Sequence, residues 1–276
     1  MYNMGRRPSR KKILKLLLGN DFSEIERDEN HPLMRFIDDP VTLGELNDKP
    51  VQYGIKSLIK ESYIYWHVLI LNLLNFVEEL NPDSSEIKTI RRKIIKCRDD
   101  HQEFYRTLEE LRIAMAFKSK LWSYEFEPKV GDGDFDLVVR SDGKRVYLEV
   151  YFPDTSDVRI LEDKIDKKLS DFNETDGDAI FLVNVGAQPD KEEYIENAMK
   201  FVGEKPKLSG IIFYSYDMGA MVSQQPTNKI IIHKDWFKPP TKIIFKKISD
   251  TVSEFKYEFH DYPKYYFSHE LHGATS

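Results

Sequence analysis

From Gly131 to Phe152 the chain reads GDGDFDLVVRSDGKRVYLEVYF, alternating apolar and polar positions on either side of Asp142-Gly143. A period of two predicts strands, and Asp-Gly is a favoured two-residue hairpin turn. The turn sets the register. Ser141 should face Lys144, Val139 should face Val146, Leu137 should face Leu148, and Phe135 should face Val150. These side chains share one apolar face, which must be buried. The other face then pairs Val138 with Tyr147, Asp136 with Glu149 and Asp134 with Tyr151. Two carboxylates oppose each other there, with a third one pleat away.

The pattern on either side of this hairpin is mostly helical upstream and alternates helix with strand downstream. KKILKLLL predicts a short amphipathic helix ending at Gly19, and a strongly apolar helical run extends from Ile55 to Leu80, stopped by Asn81-Pro82. Its Tyr63, Tyr65 and Trp66 read as core aromatics. Ser84 to Cys97 and Asp99 to Lys120 are predicted helices, the second with Phe104, Leu108, Leu111 and Met115 as its stripe. Ser123 to Pro128 precedes the hairpin as a strand. After it, Val158, Leu161, Ile165, Leu169 and Phe172 form a helical stripe. The apolar runs Ala179 to Val185 and Leu208 to Tyr214 read as strands covered on both faces, separated by a helix from Asp190 to Val202. Ile230 to His233, Lys242 to Ile248 and Val252 to Phe259 are predicted strands. The order helix, three strands, helix, strand, helix, strand gives an α/β fold with a mixed sheet flanked by helices. Three regions follow: a helical N-terminal region, 1–98; an α/β core, 99–235; and a β-rich C-terminal extension, 236–276.

Composition narrows the class. One cysteine, Cys97, excludes a disulfide framework and points to a reducing compartment, hence the cytoplasm. No run of about 18 apolar residues occurs, so no membrane partner is expected. The net charge of −6 is unfavourable for binding nucleic acid as a whole. Basic residues nevertheless cluster: Arg6, Arg7, Arg10, Lys11, Lys12 and Lys15 near the start, and Lys88, Arg91, Arg92, Lys93, Lys96 and Arg98 further on. Such clusters neutralise phosphates or simply line solvated helix faces. His269-Glu270-Leu271-His272 has the wrong spacing for a zinc-protease helix, and no phosphate-binding glycine loop is present.

Opposed carboxylates cost about 0.2–1 kcal/mol even when wet. Solvent, neighbouring lysines or arginines, or a divalent cation would each relieve Asp136 and Glu149. On the preceding helix, Glu110 sits at the edge of an apolar half and needs a partner. Either Arg106 at i−4 or a cation shared with the hairpin would serve. Glu103 lies on the same face two turns earlier, and Glu109 points elsewhere.

GDFDLVVRSDGKRVYLEV resembles the active-site hairpin of the PD-(D/E)XK, or restriction-endonuclease-like, nucleases. The resemblance spans roughly residues 100–215 and implies that family's αβββαβ core. It makes Asp136 and Glu149 the metal-binding pair, Asp134 the additional acid, and Glu110 the helix carboxylate. Tyr151 stands where the family carries its lysine. Some members take that lysine from the next helix instead, and Lys168, then Lys164, project nearest to the buried stripe there. Both would equally serve as amphipathic side chains at a core edge.

The implied activity is Mg²⁺- or Mn²⁺-dependent hydrolysis of phosphodiesters in nucleic acid, with DNA the expected partner. A homodimer would be the simplest way to cut both strands of a duplex. Tyr151, a neutral phenol at pH 7, favours an alternative: a nuclease-like domain without catalysis, acting as a nucleic-acid-binding or protein-interaction module. In a third reading the acidic pair only faces solvent on an unrelated helical and α/β scaffold.

Overall fold

The hairpin is the middle of a six-stranded sheet. In the computed structural model, which describes residues 10–28, 31, 33, 84–97, 100–120, 122–131, 133–141, 143–173, 177–186, 188–216 and 230–254, these fall into two compact units. The smaller is helical: α1 (Arg10–Leu18), a 3₁₀ turn (Gly19–Asp21), α2 (Phe22–Ile25) and α3 (Ser85–Cys97). On α3, Ile87, Ile90, Ile94 and Cys97 are buried, while Lys88, Arg92 and Lys96 lie one turn apart on an exposed face. Arg91 donates from Nε to the Leu17 carbonyl and from Nη2 to the Leu16 carbonyl at 3.2 Å, placing a cation at the end of α1 where helix carbonyls run out of partners.

The larger unit contains α4 (His101–Ser119), β1 (Ser123–Phe126), β2 (Lys129–Val130), β3 (Gly133–Asp134), β4 (Leu137–Ser141) and β5 (Lys144–Tyr151). It continues through α5 (Val158–Leu169), β6 (Asp178–Asn184), α6 (Lys191–Val202), β7 (Gly210–Tyr216), β8 (Ile230–Phe237) and α7 (Ile243–Glu254). The sheet order is β1-β4-β5-β6-β7-β8, with β5, β6 and β7 parallel and the other neighbours antiparallel; β2 and β3 pair separately. This is a mixed α/β sheet flanked by helices.

Both sheet faces are buried. Val138, Tyr147, Tyr151, Phe181, Val183, Ile211 and Phe213 pack with Leu161, Ile165 and Leu169 of α5 and Tyr194, Ala198 and Val202 of α6. The alternate residues, among them Leu137, Val139, Val146, Leu148, Ile180, Leu182 and Ile212, are buried on the opposite side. The helix starts are capped: Asp157 accepts from Arg159 N at 3.0 Å before α5, and Asp190 accepts from Glu193 N at 3.0 Å before α6. Between β7 and β8 the register slips at Phe213/Tyr214, leaving His233 as the extra residue, and its Nε2 lies 2.8 Å from Ser215 Oγ.

The hairpin register is Ser141↔Lys144, Val139↔Val146 and Leu137↔Leu148, with Gly143 in the left-handed region at φ 74°. Below Leu137 the predicted register does not continue. The chain bends at Asp136 and the ladder stops. Asp134 pairs with Lys129 across β2–β3, not with Tyr151. Phe135 therefore leaves the predicted face and joins Tyr147 and Phe172, its ring centroid 5.5 Å from each. The β2–β3 turn is held close to the chain after α5: a Cβ on Gly131, itself at φ 60°, would lie 2.9 Å from Asp171 Cβ.

The predicted strands at Lys242 to Ile248 and Val252 to Phe259 are a correction: Ile243–Glu254 is one helix. Ile244, Phe245, Ile248 and Val252 are buried at helical spacing, with Lys246 and Lys247 exposed between them. β-branched residues suggested strands, but burial follows a period near 3.6. β8 and α7 belong to the α/β unit, where the Phe237 and Phe245 rings stack at 5.2 Å. The predicted helix from Ile55 to Leu80 lies outside the described residues, as do Glu270, the tail histidines and residues 255–259. None of the described helices is long and apolar enough to cross a membrane.

The helical form of α7 has a simple consequence. Ile248→Ala should lower stability by about 2–4 kcal/mol in urea melts, as core truncations do. Ile243→Ala, at a position 80% exposed, should change it by less than about 0.5 kcal/mol.

Candidate functional site

Glu149 lies near the C-terminal end of β5 on the face covered by α5 and α6, and its side chain is 2% exposed. Strand parity puts it there, between Tyr147 and Tyr151 of the same buried cluster. Two ammonium groups from α5 reach it. Lys164 Nζ lies 2.9 Å from Oε1 and Lys168 Nζ lies 2.8 Å from Oε2. They are four residues apart on a helix, so both project from one face. Asp136 stands at the bend where the ladder ends, and its Oδ2 accepts the Val150 backbone N–H at 2.7 Å. One side chain thus takes a donor that a continued strand would have bonded.

The charge balance at Glu149 is uneven. Burial, then repulsion from Asp136, raise its pKa from the ordinary carboxylate value to about 7, against the opposing pull of Lys164 and Lys168. For Lys168, burial acts to lower the pKa, but Glu149 at hydrogen-bond distance, with Asp136 and Asp134, outweighs it and the net shift is upward. The carboxylate carries the strain of the arrangement, while the ammonium gains from it. Lys168 also donates to the Asp134 carbonyl, lies 3.6 Å from Asp134 Oδ1 and sits 5.8 Å from the centre of the Phe135 ring. Asp134, although not opposite Tyr151, is brought to the site through Lys168.

Tyr151 is buried, and Lys164 Nζ sits 4.9 Å from the centre of its ring. Burial and the nearby Asp154 raise the pKa of its phenol, with Arg106 acting in the opposite sense. Glu110 is buried on α4. Arg106 pairs with Asp154 at 2.6 Å and Glu103 at 3.7 Å. Among the described residues, no three His, Cys, Asp or Glu side chains gather as a group that could hold a metal ion.

No protein-family model matches this chain. No curated protein matches it. Among solved structures it is similar to Pyrococcus furiosus SfsA in complex with Ca²⁺, at 18% identity and a TM-score of 0.26, over 47% of this chain and 62% of that one. A TM-score that low says nothing about chemistry, so the site stands on its own geometry.

One buried polar network was not foreseen. Glu109 Oε1 accepts from Arg112 Nε at 3.0 Å, from Arg112 Nη2 at 2.7 Å and from the Tyr214 hydroxyl of β7. Arg112 also lies 5.6 Å from the centre of the Tyr214 ring, and both charged side chains are fully buried. The i, i+3 spacing of Glu109 and Arg112 was visible in the sequence, but such spacing is commonplace on solvated helices and gave no sign of burial. Glu109→Ala should cost about 3–5 kcal/mol in chemical denaturation, because it removes a carboxylate from a buried arginine. Arg106→Ala, breaking partly exposed pairs, should cost at most about 1 kcal/mol.

Proposed function

We propose that the α/β unit hydrolyses phosphodiester bonds in nucleic acid, DNA in preference to RNA, with Mg²⁺ or Mn²⁺ held by Asp136 and Glu149. The supporting observation is the delivery of two helix ammonium groups to a buried strand carboxylate with a second carboxylate beside it. An acidic pair with a lysine close by is the constellation that the hairpin's resemblance to the PD-(D/E)XK nucleases implies. Here the positive charge comes from α5 rather than from position 151.

The donor set fits Mg²⁺. That ion commonly takes one or two carboxylates and completes its shell with water and substrate phosphate oxygens. Burial and the neighbouring Asp136 raise the proton affinity of Glu149 despite its two lysines, so added positive charge from a cation would favour its ionised form. Bound there, the ion would polarise the phosphate and acidify water. The remaining work falls to the protein. Lys164 and Lys168 hold positive charge where a phosphate's negative charge grows. Tyr151, with its pKa raised, stays protonated at neutral pH and is not a base. Asp136 is fixed by the Val150 N–H, so one oxygen is oriented before any ligand arrives. The exposed Lys88, Arg92 and Lys96 on α3 suit a polyanionic partner.

A second reading is favoured by the ion pairs themselves. Both oxygens of Glu149 are engaged by lysines, as suits a nuclease-like domain that binds nucleic acid or a protein without cutting. The two readings diverge in a cleavage assay on plasmid DNA. With Mg²⁺ or Mn²⁺, the wild-type chain should nick the substrate, and Asp136→Ala and Glu149→Ala should each reduce the rate by at least about 100-fold. Salt-sensitive binding without turnover in Mn²⁺ would instead establish the non-catalytic module.

Proton linkage offers a test independent of turnover. Because folding raises the pKa of Glu149, its contribution to stability is fully present below the unfolded value near 4.5 and lost as pH rises through about 7. The shift corresponds to on the order of 3 kcal/mol. Metal-free urea melts should therefore show stability falling between pH 5 and pH 8, less steeply in Glu149→Gln. The rise in Tm caused by Mg²⁺ should be greater at pH 8 than at pH 6, since the cation binds the ionised form.

A further inference from the structure

Resting on the hydrolytic reading, we propose that Gln188 is a positioning residue for it: from the corner between β6 and α6, its side-chain amide pins the run from Tyr151 to Asp157 that separates Glu149 from α5.

Gln188 is well anchored. Its backbone N–H donates to the Val185 carbonyl at 3.1 Å, and Val185 N–H donates to the Tyr214 carbonyl of β7 at 2.8 Å. Two residues later Asp190 caps α6. The sheet therefore holds it on one side and a helix start on the other. Its side chain is buried, and Nε2 donates to the Pro153 carbonyl at 2.8 Å, across 35 residues of chain. The run it reaches is more open: Asp154, Thr155 and Ser156 are exposed. Both sides of Pro153 bear on the site. Glu149 lies just before Tyr151 on β5, and Asp157 caps the helix whose lysines meet Glu149. Asp154, directly after the held carbonyl, pairs with Arg106 of α4 at 2.6 Å.

The unpaired atoms of the corner single out the donor. Gln188 Oε1 has no hydrogen-bond partner among the described residues, and neither has the hydroxyl of Tyr194, which is buried on α6 near Tyr151 and Asp157. Burying an acceptor without a partner is costly, and a methionine would fill position 188 without that cost. It would not supply an N–H to Pro153. The amide's orientation follows from the same bond, since a carbonyl only accepts. Gln188 thus contributes a donor at the middle of the segment that spans the strand carboxylate and the helix ammonium groups.

Two variants of the full chain separate the donor from the space it fills. Gln188→Met keeps the length and loses the N–H. Gln188→Glu donates only while protonated, a form that burial favours as the pH falls. Amide hydrogen exchange, corrected for the intrinsic rate at each pH, should rise about tenfold over Tyr151 to Arg159 in Gln188→Met and stay unchanged in α7. In Gln188→Glu it should match the wild type at pH 5 and the Met variant at pH 8. In the plasmid assay at pH 8, both variants should lose about tenfold in kcat with KM unchanged, as displaced reacting groups do. Gln188→Glu keeps the proposal falsifiable if Gln188→Met folds poorly. Exchange that stays unchanged over Tyr151 to Arg159, that rises equally in α7, or that ignores pH in Gln188→Glu would overturn it, as would a rise in KM at constant kcat. Nicking by the wild type with exchange that ignores the donor defeats the positioning role alone. A wild-type chain that never nicks DNA while exchange follows the donor defeats the hydrolytic reading, and the role in it falls too.

Discussion

Glu149 has to accommodate a negative charge inside a sheet face that α5 and α6 cover, and much of the surrounding structure bears on that requirement. Desolvating a carboxylate is costly unless charge and hydrogen bonds are returned to it. The return comes from one helix. α5 is seated by Leu161, Ile165 and Leu169 in the core, started by the Asp157 cap, and tied to the chain after α6. Lys205 reaches both Glu162 and Asp166, and Lys207 donates to the carbonyls of Leu169 and Ser170 at the helix end. These contacts fix the rotation of α5 and therefore the aim of Lys164 and Lys168.

The hairpin is the other half of the arrangement. Regular pairing would have placed Asp136 and Glu149 as cross-strand neighbours. The bend at Asp136 instead turns its carboxylate to the Val150 N–H and sends Phe135 into the aromatic group with Tyr147 and Phe172. Asp136 remains near enough to repel Glu149, and the lysines offset only part of that repulsion. The site therefore combines rigid packing with an incompletely balanced charge, a state that a cation or a proton can complete.

Local periodicity made much of this legible. The Asp142-Gly143 turn gave the register from Ser141/Lys144 to Leu137/Leu148, and the stripe after Val158 gave the helix from which Lys164 and Lys168 pair with Glu149. What escaped depended on non-local packing. Alternation carried no warning that the strand would bend at Asp136, because Phe135 continued the apolar pattern and was drawn away by Phe172, far along the chain. The Glu109–Arg112–Tyr214 network looked like a solvated helix pair because Tyr214 belongs to a distant strand. In α7, Ile and Val favoured a strand, and only the partners waiting on β8 decided for a helix.

The cap at Asp157 acts as a ruler. It fixes where α5 begins, and each residue added between it and Lys164 would turn both ammonium groups by about 100° and advance them by about 1.5 Å. Natural variation in chain length should thus concentrate before Asp157, in the connection from Tyr151, and spare the first two turns of the helix. An insertion there would turn Ile165 and Leu169 away from the core together with the two ammonium groups, so the packing of the helix and the aim of its charges would be lost together.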